Sequence, residues 1–272
     1  MGSTAPGPAA ASPAAGTAGS AQIDTRRQRR GLFLLLLALA LAGLAVALAG
    51  LVVQILPRTF SAAQKQQITA WEMGKRWRQW PAGEIFPPTL HYQIPALVLS
   101  GSSGLTLAAH RAGIASQAPC PAATDPAAAK VLLSHGCTVV LRATYTDATQ
   151  SLAVTVGVAV LASPAAARAA QQDLSGLDGS RLTPGLRAVP FRHTVVARFG
   201  DRQRQLSWDQ ATGPYLVLAT VGYADGRRRV NESSNLYATA EMVGLEKGVG
   251  GWVAAHLGAA PAPPRCPGGP AC

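Results

Sequence analysis

The chain has 272 residues, which is room for one ordinary domain or two small ones and excludes a large multidomain assembly. Charged residues make up only 14% of it, yet the formal net charge is +11. A charge excess of this kind favours solubility and weak attraction to polyanions before it favours any one specific site.

Both ends of the chain have compositions typical of disorder. Residues 1–22 consist almost entirely of Ala, Gly, Pro, Ser and Thr with no charged side chain, and residues 260–272 are similarly rich in Pro, Gly and Ala. Such segments bury too little apolar surface to offset the entropy that ordering costs. We predict a disordered cytoplasmic tail with a basic end over residues 1–30, and a second flexible tail over 260–272.

A transmembrane helix is predicted over residues 31–56. From Leu32 to Val53 no side chain is charged or able to form a hydrogen bond. A helix of that length rises roughly 33 Å, which is enough for a hydrocarbon core of about 30 Å. The segment is therefore long enough to cross a bilayer once.

The flanks of this segment predict its orientation. Four arginines precede it directly, and positive residues are retained on the cytoplasmic side: Arg26, Arg27, Arg29 and Arg30. We expect a cytoplasmic N-terminus and an extracytoplasmic C-terminal domain at the cell membrane. A signal peptide cleaved near Ala49 is the alternative, although the apolar run exceeds the ~7 to 15 residues usual for such signals. Both alternatives export the same domain.

Residues 57–81 predict a juxtamembrane stalk helix that continues outward from the anchor. The segment is largely helix-permissive and ends at Pro81. Its first tryptophan, Trp71, lies roughly 22 Å beyond Leu56 along a straight helix. We therefore expect Trp71, Trp77 and Trp80 to pack against the following domain rather than among lipid headgroups.

Cysteine usage agrees with export, because all four cysteines lie beyond the anchor: Cys120, Cys137, Cys266 and Cys272. Four cysteines allow three pairings. Cys120 and Cys137 flank a predicted helix, so we favour a disulfide between them, while the two tail cysteines pair with each other or with a partner. A zinc site using His135 and Cys137 is the competing interpretation, but the sequence has no C-x-x-C motif.

The domain over residues 82–259 contains three helix patterns. Asp125 as N-cap, Pro126 and the C′ residue Gly136 predict a helix over 126–135. Ser163 with Pro164 begins a second one, "PAAARAAQQDL", that ends near Gly176. The stretch "SNLYATAEMVGLEKGVGGWVAAHLG" predicts a third, which its glycines weaken.

Strand patterns fill the space between these helices. "CTVVLRATYTD" and "SLAVTVGVAVL" predict a hairpin around residues 148–150, and both faces of its second strand have residues typical of burial. "HTVVARF", "RQRQLSW" and "PYLVLATVGY" predict three more strands. We expect an α+β domain of two layers, with a mainly antiparallel sheet and helices packed on it.

Motifs that carry catalysis are missing from the sequence. It has no G-x-S-x-G elbow, H-E-x-x-H, Walker loop or G-x-G-x-x-G, and so no hint of a metal, nucleotide or redox cofactor. Its acids are scattered singly rather than paired. His193 is a candidate general base, but a lone histidine is more often a surface or hydrogen-bonded residue. We lean against an enzyme.

Charge is the strongest unusual feature. Between Arg181 and Arg229, nine arginines accompany three aspartates. A strand face and a turn would line a basic edge with the candidate anion-binding residues Arg202, Arg204, Arg227, Arg228 and Arg229. The competing interpretation is a solvated rim that protects sheet edges from aggregation. Outside the cell, an anionic envelope polymer, lipid headgroups or an acidic protein face suits the charge better than nucleic acid.

Four strings, "WPAGEIFP", "HGCTVVLRATYTD", "VTVGVAVL" and "GYADGRRR", follow a disordered head and one anchor. With that arrangement they resemble single-pass membrane proteins of high-GC Gram-positive bacteria with no assigned activity. The resemblance covers most of residues 71–230. It implies a location in the envelope and transfers no residue role.

These observations predict a membrane-anchored extracytoplasmic binding or scaffolding domain, accessory to an envelope or secretion assembly. Its partners would be the bilayer, through residues 31–56, and a membrane protein or an anionic envelope polymer. An arginine-rich polyanion-binding or sensing domain is the first alternative, and an envelope hydrolase or transferase is the second.

Reporter fusions test the predicted orientation. Alkaline phosphatase fused after residue 261 should be active and β-galactosidase at the same point inactive, because the arginines before the anchor hold the N-terminus inside. The mass of the membrane-bound protein should include residues 1–49. An active β-galactosidase fusion would contradict the orientation, and a product starting near residue 50 would contradict the uncleaved anchor.

Overall fold

The computed structural model describes residues 21–55, 61–94, 104–177, 182–230 and 236–261. The chain divides into two compact units, one of residues 1–59 with 264–272 and the other of Phe60–Pro263. Helix α1 is the described part of the first unit, and a six-stranded sheet with its covering helices forms the second. Of the tails predicted over 1–30 and 260–272, residues 1–20 and 262–272, and with them Cys266 and Cys272, lie outside the described residues, while residues 21–30 begin helix α1.

Helix α1 runs over Ala21–Ile55. Within it, Arg29–Val52 is long and apolar enough to cross a membrane, and none of that stretch is buried within the protein. Its leucines are about half exposed, for example 46% at Leu37 and 61% at Leu32. Such an apolar exterior suits contact with lipid rather than water. The structure confirms the predicted apolar helix, while its orientation stays a prediction.

Helix α2, Ala62–Gln79, belongs to the second unit and has its own start. Ser61 has extended backbone angles, and its Oγ accepts a hydrogen bond from the Gln64 backbone N–H at 3.2 Å. The Gln64 side chain returns the bond to the Ser61 N–H at 3.0 Å, which completes a capping box. The stalk therefore differs from the expected continuation of the anchor, because the cap begins a separate helix.

The remaining helices of the second unit are α3 Ala82–Ile85, α4 Cys120–Ala123, α5 Pro126–Ser134, α6 Pro164–Ser175 and α7 Leu236–Gly258. The strands are β1 Thr89–Ile94, β2 Leu105–Ala118, β3 Val139–Asp147, β4 Leu152–Val160, β5 Arg204–Thr212 and β6 Tyr215–Tyr223. They form one antiparallel sheet in the order β1-β2-β3-β4-β6-β5. This confirms the α+β class and all three predicted helices of the domain.

The β3–β4 hairpin forms around residues 148–150 as predicted. Asp147 accepts hydrogen bonds from the backbone N–H groups of Thr149 at 3.0 Å and Leu152 at 2.7 Å. The carboxylate thereby satisfies the turn's backbone donors. This use explains why Asp147 is buried without a basic partner among the described residues.

Helix α7 covers one face of the sheet. The odd-numbered side chains of β6 and the even-numbered ones of β4 meet Met242, Leu245, Val249 and Val253 in a single apolar cluster. Gly248 allows this closeness, because a Cβ there would lie 2.9 Å from the Tyr92 backbone. The glycines that weaken the helix in isolation therefore let it approach β1.

The opposite face is covered by α5, α6 and a covering segment, residues 185–191. Leu132, Leu174 and Leu186 pack there against Leu216 and Leu218 of β6. The sheet thus has helices on both faces, which agrees with the predicted α+β class and with the burial expected on both faces of β4. The reason is that β4 and β6 are apolar on both sides, so each face requires its own cover.

Two stretches of the domain differ from the sequence analysis. "HTVVARF" forms consecutive turns rather than a strand, because Val196 and Phe199 pack against Ala153 and Ala224 in a small cluster of their own. Strands β1 and β2 were not predicted. The alanines of β2 have little strand propensity, and pairing with β3 across two irregularities compensates for it.

The disulfide between Cys120 and Cys137 is formed as predicted, and both residues are buried in the cluster beneath α5 and α6. It joins the start of α4 to Cys137, two residues before β3, with 17 residues of sequence separation. Trp77 and Trp80 pack against the core as expected, whereas Trp71 is 57% exposed. The bridge therefore ties the covering helices to the sheet.

Removing the disulfide tests this role. Cys120→Ser with Cys137→Ser should lower the free energy of unfolding by about 3 kcal/mol, because a loop of this size is no longer closed in the unfolded chain. Urea unfolding of the full chain in a nonionic detergent measures the difference. Reductant should reproduce most of the loss in the parent and change the variant little; equal stability of parent and variant would contradict the prediction.

Candidate functional site

Arg204, one of the predicted anion-binding residues, is part of the core. Its side chain is 3% exposed, and Nη1 lies 2.9 Å from both carboxylate oxygens of Asp125. Nε donates to Thr220 Oγ1 at 3.0 Å. Because its donors are already used inside the protein, Arg204 leaves the set of candidate ligand-binding residues.

The expected strand face shared by Arg202 and Arg204 is absent. Arg202 lies in a 3-10 turn, Asp201–Gln203, whereas Arg204 begins β5 beside a bulge. The bulge places both Arg204 and Gln205 in buried positions. The simple alternation assumed from the sequence therefore fails at this end of the strand.

The other predicted arginines come together on the surface. We define the arginine cluster as the exposed residues Arg198, Arg202, Arg227, Arg228 and Arg229. The Arg229 backbone N–H donates to the Arg202 carbonyl at 3.1 Å, which joins the two stretches of chain. Arg198 was not among the predicted residues, since the segment that carries it was expected to be a strand.

Gly226 is the residue that makes this approach possible. Its φ of +90° lies in the region that favours glycine, and an added Cβ would lie 2.8 Å from the Cβ of Arg198. Gln203 Nε2 donates to the Gly226 carbonyl at 3.0 Å. The turn "ADG" recognised in the sequence thus closes onto the 198–203 stretch and gathers the arginines.

Within the cluster, Arg227 is paired and Arg198, Arg202 and Arg228 are not, as far as the described residues show. Arg227 Nη2 lies 2.6 Å from Asp225 Oδ2, and its guanidinium stacks over the Tyr223 ring at 4.3 Å. Hydrogen bonds from Arg227 lower the pKa of the Asp225 carboxyl. The unpaired guanidiniums keep their donors for solvent or a ligand, which a planar fork binds well when it is a phosphate or carboxylate.

The structure does not assemble a catalytic site around His193. This residue lies in an exposed turn with φ of 63°, and in the described part of the chain its side chain forms no hydrogen bond or ion pair with an acid. Both residues of the zinc alternative have other partners. Cys137 forms a disulfide with Cys120, and His135 Nε2 lies 2.7 Å from Asp173 Oδ2. No group of three or more metal-ligating side chains occurs among the residues that the structure describes.

A half-buried acid beside a buried tyrosine is the other arrangement that sequence reasoning missed. Tyr92 donates to Glu241 Oε1 at 3.2 Å, and burial raises the pKa of both groups. Nothing in the sequence relates these residues, because one lies in β1 and the other in α7. The pair joins the helix to the edge strand, and no nucleophile adjoins it in the described regions.

Comparing two ion pairs tests which arginines are structural. Asp125→Asn should lower the free energy of unfolding by about 3 to 5 kcal/mol, because it leaves the buried Arg204 guanidinium without its counter-charge. Asp225→Asn is the matched control, since its exposed pair with Arg227 contributes at most about 1 kcal/mol. Chemical unfolding of both variants provides the measurement. Equal losses would show that Arg204 is not held as the structure indicates.

The comparisons with known proteins assign no family to this chain. No family model matches it, and neither a curated protein nor a solved structure does. The resemblance to envelope proteins of high-GC Gram-positive bacteria therefore stays an expectation from the sequence. Function has to be argued from the chain's own geometry and charge.

Proposed function

We propose that the protein is a membrane-anchored, extracytoplasmic binding domain whose arginine cluster holds an anionic polymer of the cell envelope. The observation that carries the proposal is the gathering of five exposed arginines around one turn, with Asp225 already paired to Arg227. A linear polyanion meets several of these charges at once. If the arginines were only a solvated rim that protects sheet edges from aggregation, they would not need to gather around one turn.

The location in this proposal is supported by three separate features. Among the described residues one helix suits a bilayer, arginines stand directly before its apolar stretch, and a disulfide lies in the domain that follows. Positive flanks favour the cytoplasmic side, and disulfides persist in oxidising compartments. An extracytoplasmic position for the domain satisfies all three.

A polymer is favoured over a lipid surface or a protein partner because of how the arginines are held. They are attached to a rigid sheet through Gly226 and Gln203, and the unpaired side chains are exposed. Repeated single charges along a flexible polymer can adjust to such fixed positions, and several weak contacts add up. A scaffolding role with an acidic protein face would use the same arginines and is an outcome of the test below.

Sedimentation with purified envelope material tests the proposal. The full chain in a nonionic detergent should bind at low salt, and binding should fall steeply as salt rises, because exposed charges are screened within about 10 Å at 0.1 M salt. Absence of binding at low salt would contradict the proposal. Binding only to the protein fraction of the envelope would support the scaffolding role in its place.

Matched charge variants identify the surface. Arg198→Gln, Arg202→Gln and Arg228→Gln together should weaken binding about tenfold or more, since three exposed ionic contacts contribute roughly 0.5 to 1 kcal/mol each. The control removes the same charge elsewhere on the domain, through Lys130→Gln, Arg168→Gln and Lys247→Gln, all exposed. Equal weakening by the two triple variants would show that net charge, and not the arginine cluster, is responsible.

A further inference from the structure

Arg142 is a partly buried arginine within β3, on the sheet face opposite α7. The side chains of β3 point to alternate faces of the sheet. Leu141 belongs to the core beneath α7, whereas Thr144 Oγ1 donates to the Val189 carbonyl at 2.8 Å on the other face. Val189 is part of the covering segment. Arg142 therefore lies on the side of Thr144, beneath that segment.

The covering segment is attached to the sheet on both sides of Arg142. Leu186 lies over Gly157, the cross-strand partner of Arg142, where an added Cβ would be 2.6 Å from a leucine methyl carbon. Three residues later, the Val189 N–H donates to Thr155 Oγ1 at 3.1 Å. The two attachments hold the intervening residues, Arg187 and Ala188, next to the Arg142 side chain.

Arg142 has an unused donor inside the protein. Its Nε is buried and has no hydrogen-bond partner, and no carboxylate among residues 104–177 and 182–230 forms an ion pair with its guanidinium. Burial lowers the pKa of Arg142, the charge of Asp201 opposes this shift, and the charge of Arg187 adds to it. A buried donor left without a partner is costly, so a ligand that accepts from it would remove that cost.

Arg187 supplies a second guanidinium at the same place. Its backbone N–H is bonded to the Ala123 carbonyl at 2.9 Å, and its side chain forms no ion pair with any described residue. Asp201, the acid whose charge acts on Arg142, accepts from the Ala188 N–H at 2.9 Å. Asp201 precedes Arg202, so this place adjoins the arginine cluster.

We propose that Arg142 and Arg187 form a binding site for a single phosphate group of the anionic ligand, with the arginine cluster attracting the rest of it. The proposal rests on the proposed function and deepens it by naming the group recognised. Even as a diester, a phosphate has two charged oxygens on a tetrahedral centre, which can accept from two guanidinium forks that approach from different directions, whereas the two oxygens of a carboxylate lie in one plane with its carbon and suit one fork. The exposed cluster provides attraction, and the half-covered pair provides selectivity.

Calorimetric titration with inorganic phosphate tests the site in the full chain, held in a nonionic detergent at constant ionic strength with chloride as the replaced ion. One saturable site is expected. Arg187→Gln should weaken phosphate binding about tenfold, a loss typical of one charge-assisted contact. Arg142→Lys should weaken it similarly, because an ammonium keeps the charge but lacks the Nε donor and the planar fork.

The Arg198, Arg202 and Arg228 triple variant separates this proposal from the proposed function. It should keep inorganic phosphate binding within about twofold of the parent, since none of its substitutions touches the pair. Thermal unfolding of Arg187→Gln and Arg142→Lys near the parent temperature shows that each is folded. Phosphate binding that equals the parent's in both single variants, or that never saturates, would overturn the phosphate site even where the cluster still binds envelope material.

Two competitors identify the source of the phosphate. A soluble glycerol phosphate oligomer should compete with inorganic phosphate for the site, as a polymer ligand requires. Competition by phosphatidylglycerol vesicles alone would keep the phosphate site but assign it to a lipid headgroup, and would count against the polymer. Failure of both competitors would overturn the link between the site and the proposed function.

Discussion

Two neighbouring interior strands of the sheet, β4 and β6, are buried along their whole length on both faces, and the remainder of the domain follows from that constraint. An apolar strand cannot leave either face in water without losing hydrophobic stabilisation. Helix α7 covers one face, and α5, α6 and the covering segment cover the other. Gly244 and Gly248 of α7 and Gly157 of β4 serve this burial, since each allows a neighbour to approach the sheet closely.

The second cover depends on polar contacts as well as on apolar ones. Asp125 binds Arg204 from β5 and accepts from the Gly185 N–H at 2.9 Å, so one carboxylate joins α5, the covering segment and the sheet edge. The Cys120–Cys137 disulfide links α4, in the same region, to the chain that enters β3. A buried ion pair adds little net stability compared with apolar packing, but it specifies which surfaces meet. In this protein it determines where the covering segment lies.

The arrangement of charge follows from the same framework. One arginine of the 181–229 region, Arg204, is buried in the core and paired with Asp125. Five others gather around the Gly226 turn on the surface. Arg142 and Arg187 lie half covered at the covering segment, and neither forms an ion pair in the described regions. In a strongly positive chain, some arginines can thus be structural while others attract or recognise an anionic ligand. The partners that each arginine has within the protein distinguish these roles.

Local patterns were sufficient for much of the molecule. The uninterrupted apolar run predicted α1, the caps at Asp125 and Ser163 predicted α5 and α6, and alternation predicted the β3–β4 hairpin and β6. These features depend on residues close together in the chain, so the sequence contains them in full. The Cys120–Cys137 disulfide could be predicted for the same reason, because the two cysteines are only 17 residues apart in the chain.

What the sequence by itself determined was therefore the anchor, most secondary structure and the excess of arginine. Only the tertiary structure decided that "HTVVARF" forms turns, and that Arg204 is buried while Arg198 is exposed. Each of these depends on contacts between distant segments, such as Asp125 with Arg204 or Gly226 with Arg198. The energy of such contacts depends on burial and mutual geometry, which the order of residues along the chain does not display.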